Sequence, residues 1–179
     1  VSLVKQRKKG SSSFEVENSI ILDCVKGGDI TKNLDKRYVI IYPYDEQRKA
    51  FSESQFRQNY PRAFNYLLSN KEKLLRRDKG KPKGYPWYAY GRTQALSLTE
   101  KDKLVFPGMV KDRVHLKGCA QHKTFISGYC LIPKEPSTIE EVRDIFTSDE
   151  MSRWIRIFGK NLGNDWLGIY KETFLKYKV

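Results

Sequence analysis

The 179-residue chain is short of several things, and each shortage excludes something. Cys24, Cys119 and Cys130 are its only cysteines, an odd count with no C-x-x-C pair. That suits a reduced, intracellular protein better than a disulfide framework. No two glycines have a single residue between them, so neither a dinucleotide-type G-x-G-x-x-G nor a methyl-donor F-x-G-x-G loop exists, and there is no Walker A sequence. No two prolines are adjacent, which removes the D/N/S-P-P-Y/F loop of amino methyltransferases. No Asp or Glu lies two before a Lys, so the D/E-x-K element of many metal-dependent nucleases is missing, as are G-x-S-x-G and H-E-x-x-H. No apolar run approaches the ~20 residues a membrane helix needs, so no membrane partner is expected. No stretch of the given sequence reads as a secretory signal. A first residue of Val, not Met, is expected of a piece of a longer or processed protein.

Acidic residues are scarce relative to basic ones, at 21 against 34, giving a formal net charge of +13. A charge this large repels itself in the compact state but speeds encounter with a polyanion. The cations alternate with strand-like and loop-like stretches, not along one amphipathic helix, so nucleic acid is preferred over an acidic membrane surface. Hydrophobic content of 39%, aromatic content of 13% and a mean hydropathy of −0.64 fit a folded chain that buries a core.

The pattern along the chain is α+β: a single domain with a mixed or antiparallel sheet and several helices packed against it. Residues 1–13 are basic and then Gly/Ser-rich, which reads as a linker or tail, leaving 14–179 as the domain. Strands are expected over Phe14–Val25, Arg37–Tyr44, Leu104–Phe106, Val114–Leu116 and Thr124–Ile132. A helix should start at Pro61 and run to the cations Lys71, Lys73, Arg76 and Arg77, which suit the negative end of its dipole. Ser137 with Glu140 matches a capping box opening a helix through about Phe146, and Ser148 caps another ending near Gly159. Trp166, Ile169, Tyr170, Phe174 and Leu175 should pack back on the core.

Chemistry concentrates between Lys71 and Arg92, which hold eight cations and two acids. Lys79, Lys81 and Lys83 are spaced by Gly and Pro in a loop able to follow a phosphate backbone. Tyr85, Trp87, Tyr88 and Tyr90 follow within six residues. Arg92 suits guanine and Gln94 adenine at major-groove edges. Arg76, Arg77, Lys103, Lys111 and Arg113 add possible backbone contacts, and Tyr88 an aromatic one. Each has a plainer reading: core packing for the aromatics (preferred for Trp87), a solvated surface for the lysines, a salt bridge for Arg92. His115, Cys119 and His122 are off the usual zinc spacings and have no fourth ligand, so no metal is expected. The acid pairs Glu140–Glu141 and Asp149–Glu150 fall in first helical turns, where the dipole explains them.

The ordered set Val25-Lys26-Gly27-Gly28-Asp29-Ile30, Ile40–Tyr44, Pro61–Leu67, Lys71–Arg77, Trp87-Tyr88, Gly91-Arg92 and Lys103–Pro107 resembles the TaqI-like C-terminal specificity domain. That domain recognises the target for adenine-specific DNA methyltransferases and fused type II restriction–modification enzymes. The C-terminal part, 139–179, matches only loosely. The resemblance implies a non-enzymatic module that binds double-stranded DNA in a prokaryotic cytoplasm and works with a methyltransferase catalytic domain in cis or trans. That domain, not this one, would hold S-adenosylmethionine and flip the base. Of the family's recognition residues, only Arg92 and the basic loop carry over. Two other classes stay open: a metal-dependent DNA nuclease with a divergent site, and a single-stranded nucleic-acid-binding module stacking bases on Trp87, Tyr88 and Tyr90. A protein-interaction scaffold is a fourth.

Overall fold

The computed structural model describes residues 2–5, 13–32, 34, 36–77, 84–91 and 96–177. The first half contains β1 (Ser2–Lys5), β2 (Ser13–Val16), β3 (Ile21–Lys26), α1 (Gly27–Ile30), β4 (Tyr38–Ile41), α2 (Glu53–Asn59), α3 (Pro61–Ser69) and α4 (Lys71–Leu75). There follow β5 (Lys103–Phe106), β6 (Met109–Val110), β7 (Lys117–Cys119), β8 (Thr124–Ile126), β9 (Tyr129–Leu131), α5 (Ile139–Thr147), α6 (Asp149–Phe158), β10 (Lys160–Asn161), β11 (Leu167–Gly168) and α7 (Lys171–Leu175). The class is α+β, as the sequence pattern requires, with the strands distributed over small, mostly antiparallel sheets. The chain divides into two compact units, Val1–Leu22 with Val39–Ser97, and Asp23–Tyr38 with Leu98–Val179.

In the first unit, β1 and β2 pair antiparallel, Ser2 opposite Val16 and Lys5 opposite Ser13. Residues 2–5 are therefore strand and not tail, a correction to the 1–13 linker; residues 6–12 lie outside the described residues. α2 escaped the sequence reading, although its signal is present. The Ser52 hydroxyl accepts from the Gln55 N–H at 3.2 Å and the Gln55 side chain accepts from the Ser52 N–H at 3.0 Å, a complete capping box. α3 starts at Pro61 as expected, but its end cap comes from 45 residues upstream: the Glu17 carboxylate accepts from the N–H groups of Arg62 (2.9 Å) and Ala63 (3.0 Å). The single helix expected through Arg77 breaks at Asn70. There the side-chain amide donates to the Tyr66 carbonyl at 2.9 Å, competing with the helical ladder. Phe56, Phe64, Val16, Ile20 and Tyr88 form the core of this unit. Phe56 is wholly buried and meets Phe64 and Tyr88 edge-on, with centroids 5.6 and 5.0 Å away.

In the second unit, β5 lies between β7 and β9, antiparallel to both, while β3 and β8 run parallel. The strand expected over Thr124–Ile132 is broken in two at Ser127 and Gly128, whose φ angles are 54° and 118°. The left-handed turn lets β8 join β3 and β9 join β5. Val114–Leu116 is irregular, not a strand; Val114 is nevertheless buried, and the ladder begins at Lys117. The capping box of α5 is Thr138 with Glu141, one residue later than Ser137 with Glu140. Ser148 caps α6 as expected, accepting from the Met151 N–H at 3.0 Å. Phe106, Val110, Val114, Met151, Ile155 and Ile169 form the core. From the C-terminal aromatic-rich stretch, Ile169 and Phe174 pack into it, whereas Tyr170 and Leu175 stay exposed.

Candidate nucleic-acid interface

Arg77 organises the described part of the basic–aromatic segment. Its Nε donates to the Leu74 carbonyl (2.8 Å), its Nη1 to that of Ala89 (3.0 Å) and its Nη2 to that of Trp87 (2.6 Å). One planar fork thus ties the end of α4 to the aromatic turn that follows residues 78–83. Arg77 was expected to face DNA; in the structure its guanidinium serves these main-chain carbonyls, which a planar fork of several donors matches well. Tyr88 is corrected for a similar reason. It is buried, and its hydroxyl donates to the Phe51 carbonyl at 2.6 Å, so it presents no face to a base. Trp87 packs beside that core, donates from Nε1 to Glu53 at 3.2 Å, and carries the Lys71 ammonium 5.0 Å from its ring centre. Tyr90 donates its hydroxyl to the Ile41 carbonyl and its N–H to the Tyr44 hydroxyl. The aromatic run is a packed support, the reading preferred for Trp87 from sequence.

Arg76 keeps an exposed head, 3.9 Å from an equally exposed Glu72, an ion pair of little energetic weight. Lys79, Lys81, Lys83, Arg92 and Gln94 lie outside the described residues. In the second unit, Lys103 is corrected outright. It is 1% exposed and its ammonium donates to the Lys101 carbonyl at 2.9 Å, so it cannot meet a phosphate. Lys103 opens β5, every residue of which is buried. Lys111 is exposed and lies 5.6 Å from the Trp166 ring centre; Arg113, also exposed, stands 3.7 Å from Asp149.

The second unit also carries a basic concavity that the sequence reading did not select. Two adjoining clefts of about 290 and 580 Å³ share Asp29, Ile30, Leu34 and Lys117. The smaller is lined by the cations Lys26, Lys36, Arg37, Lys117 and Lys123 against two acids. Arg113 and His115 line the larger. The acids are internally occupied. Asp23 accepts from Arg37 at 3.0 Å. Asp29 accepts from the Tyr38 hydroxyl and faces the Lys26 ammonium at 3.3 Å.

The Tyr38 hydrogen bond holds the Asp29 carboxyl below the usual carboxylate range; burial opposes it, and Lys26 adds to it. A folded-state value below the unfolded one stabilises the fold at neutral pH, and that contribution disappears as pH falls from about 4 through the folded value. Asp29→Asn should therefore shrink the difference in urea stability between about pH 7 and about pH 3. An unchanged difference would show that other carboxylates account for the acid sensitivity.

Among the described residues no group of three His, Cys, Asp or Glu side chains is arranged to hold a metal ion. His115 and His122 are exposed, while Cys119 is buried with its thiol 3.5 Å from the Thr124 carbonyl. Burial pushes all three thiols up, Cys24 to about 12, so none is poised as a thiolate. No helix among the described residues is long and apolar enough to cross a membrane.

No family model matches the chain. The chain is similar to the type II restriction enzyme and methyltransferase RM.Eco57I of Escherichia coli, with 27% identity over 145 residues, 72% of this chain. It spans about 14% of the length of that curated relative.

Proposed function

We propose that the chain is the target-recognition module of a restriction–modification enzyme, of the TaqI-like specificity type. It would read a short duplex sequence for an adenine-N6 methyltransferase domain, in cis or in trans, in a prokaryotic cytoplasm. The observation that carries this reading is the similarity to a restriction enzyme and methyltransferase over 72% of a chain that has no methyl-donor loop, no D/N/S-P-P-Y/F element and no D/E-x-K element. The formal charge of +13 supports it, since counterion release from phosphates supplies non-specific affinity.

In this reading Arg77 ties Leu74 to Trp87 and Ala89, the described residues on either side of the basic segment. Lys79, Lys81 and Lys83 follow phosphates, with Arg76, Lys111 and Arg113 adding backbone contacts. Arg92 and Gln94 read base edges. Base flipping and methyl transfer from S-adenosylmethionine belong to the catalytic partner.

Duplex titration at two salt concentrations tests the proposal. Binding should be modest and fall steeply with salt; no binding at low salt would remove the basis for it. Arg92→Ala should erode preference between duplexes of different sequence more than it weakens overall binding. A variant that merely melts early would make Arg92 structural. Magnesium-dependent plasmid cleavage by the purified chain, abolished by a carboxylate substitution, would assign catalysis to this chain instead.

A further inference from the structure

We propose that the basic concavity of the second unit, rimmed by Lys36, Arg37, Lys117 and Lys123, takes the sugar-phosphate backbone of duplex DNA. This inference rests on the target-recognition reading and adds a backbone grip that the chain's basic loop does not provide. Three features carry it. First, the cations reach one cleft from separate segments: the stretch after α1, strand β7 and the turn before β8. A solvated helix face puts its charges on one element; here tertiary folding has gathered them. Second, seven of the thirteen residues lining the smaller cleft are charged. Small-molecule pockets are mostly apolar with a few polar groups, so this lining suits a hydrated polyanion better. Third, the two acids in the lining are already engaged by Arg37, Tyr38 and Lys26, and the lining holds five cations against those two acids.

The continuation into the larger cleft, with Arg113 and His115, supplies a path along which successive phosphates lie. Asp29 is a positioning residue in this arrangement. Its carboxylate fixes the Tyr38 hydroxyl and the Lys26 ammonium at the floor, and it touches no phosphate. Contacts of this kind set register and affinity and carry no sequence information.

The test is fluorescence anisotropy of a labelled duplex with the intact chain across a salt series. Each lost phosphate contact lowers the slope of log affinity against log salt by about 0.9. Lys117→Gln/Lys123→Gln should therefore lose roughly two from the slope, and Lys36→Gln roughly one, equally for every duplex sequence. Lys160→Gln/Lys171→Gln, which removes two exposed cations outside both linings, should keep the wild-type slope. A wild-type slope in folded Lys117→Gln/Lys123→Gln overturns the grip while leaving target recognition intact. If that double variant does not fold, the Lys36→Gln slope decides in its place. Failure of the unaltered chain to bind duplex at low salt overturns the reading underneath. Tighter binding of single strands, with the same slope loss, overturns the assignment to duplex.

Discussion

Gly27→Ala should destabilise the second unit by about 3 kcal/mol or more, while Gly28→Ala, one residue on, should be tolerated. A Cβ built on Gly27 falls 2.0 Å from the carbonyl oxygen of Ser127 and 2.9 Å from its carbonyl carbon. Both are main-chain atoms, so no rotamer change makes room. The Gly27 N–H donates to that same oxygen at 3.0 Å, which fixes how closely the two backbones approach. A Cβ on Gly28 meets nothing within 4 Å. There alanine even recovers some of the ~1 kcal/mol that glycine costs inside a helix. Thermal melting of the two variants checks this: Gly27→Ala should lower Tm by roughly 6–12 °C. Equal melting temperatures would mean that the crossing at Ser127 relaxes without cost.

Arg77→Ala should rank next, at roughly 2–4 kcal/mol in urea unfolding. It leaves three carbonyls, those of Leu74, Trp87 and Ala89, without their shared donor. Arg77→Lys should recover only part of the loss, because a single ammonium cannot span the fork. Hydrogen exchange gives an independent readout: amides of the Trp87–Tyr90 turn should lose protection ahead of the Phe56–Phe64 core. Uniform loss across the first unit would make Arg77 a general packing residue, with no special hold on the aromatic turn.

Several features were legible because their causes are local. Pro61 opening a helix and Ser148 capping another depend on backbone chemistry within a few residues. The α2 capping box at Ser52 and Gln55 was equally local and went unread, because residues 53–59 carry one buried apolar side chain, Phe56, and no periodic stripe. Misplacements came where a partner outside the apolar pattern decides. Asn70 breaks the long helix. Ser127 and Gly128 split one apolar run between two partners, β3 and β5. Lys103 and Tyr88 carry polar groups that read as surface, yet each finds a main-chain carbonyl and is buried.

The sequence alone determined the α+β class, the large positive charge and the absence of methyl-donor, nuclease and membrane-spanning patterns, because composition and short-range spacing do not depend on how the chain folds. Only the tertiary structure decided which cations face outward. Arg77 and Lys103 are held by carbonyls inside their units, whereas Lys36, Arg37, Lys117 and Lys123, which form no pattern in the sequence, line one cleft. A cation's role depends on which groups the fold brings within reach: Lys103 finds the carbonyl of Lys101 because β5 is buried, and the cleft gathers cations from residues 36–37, 117 and 123.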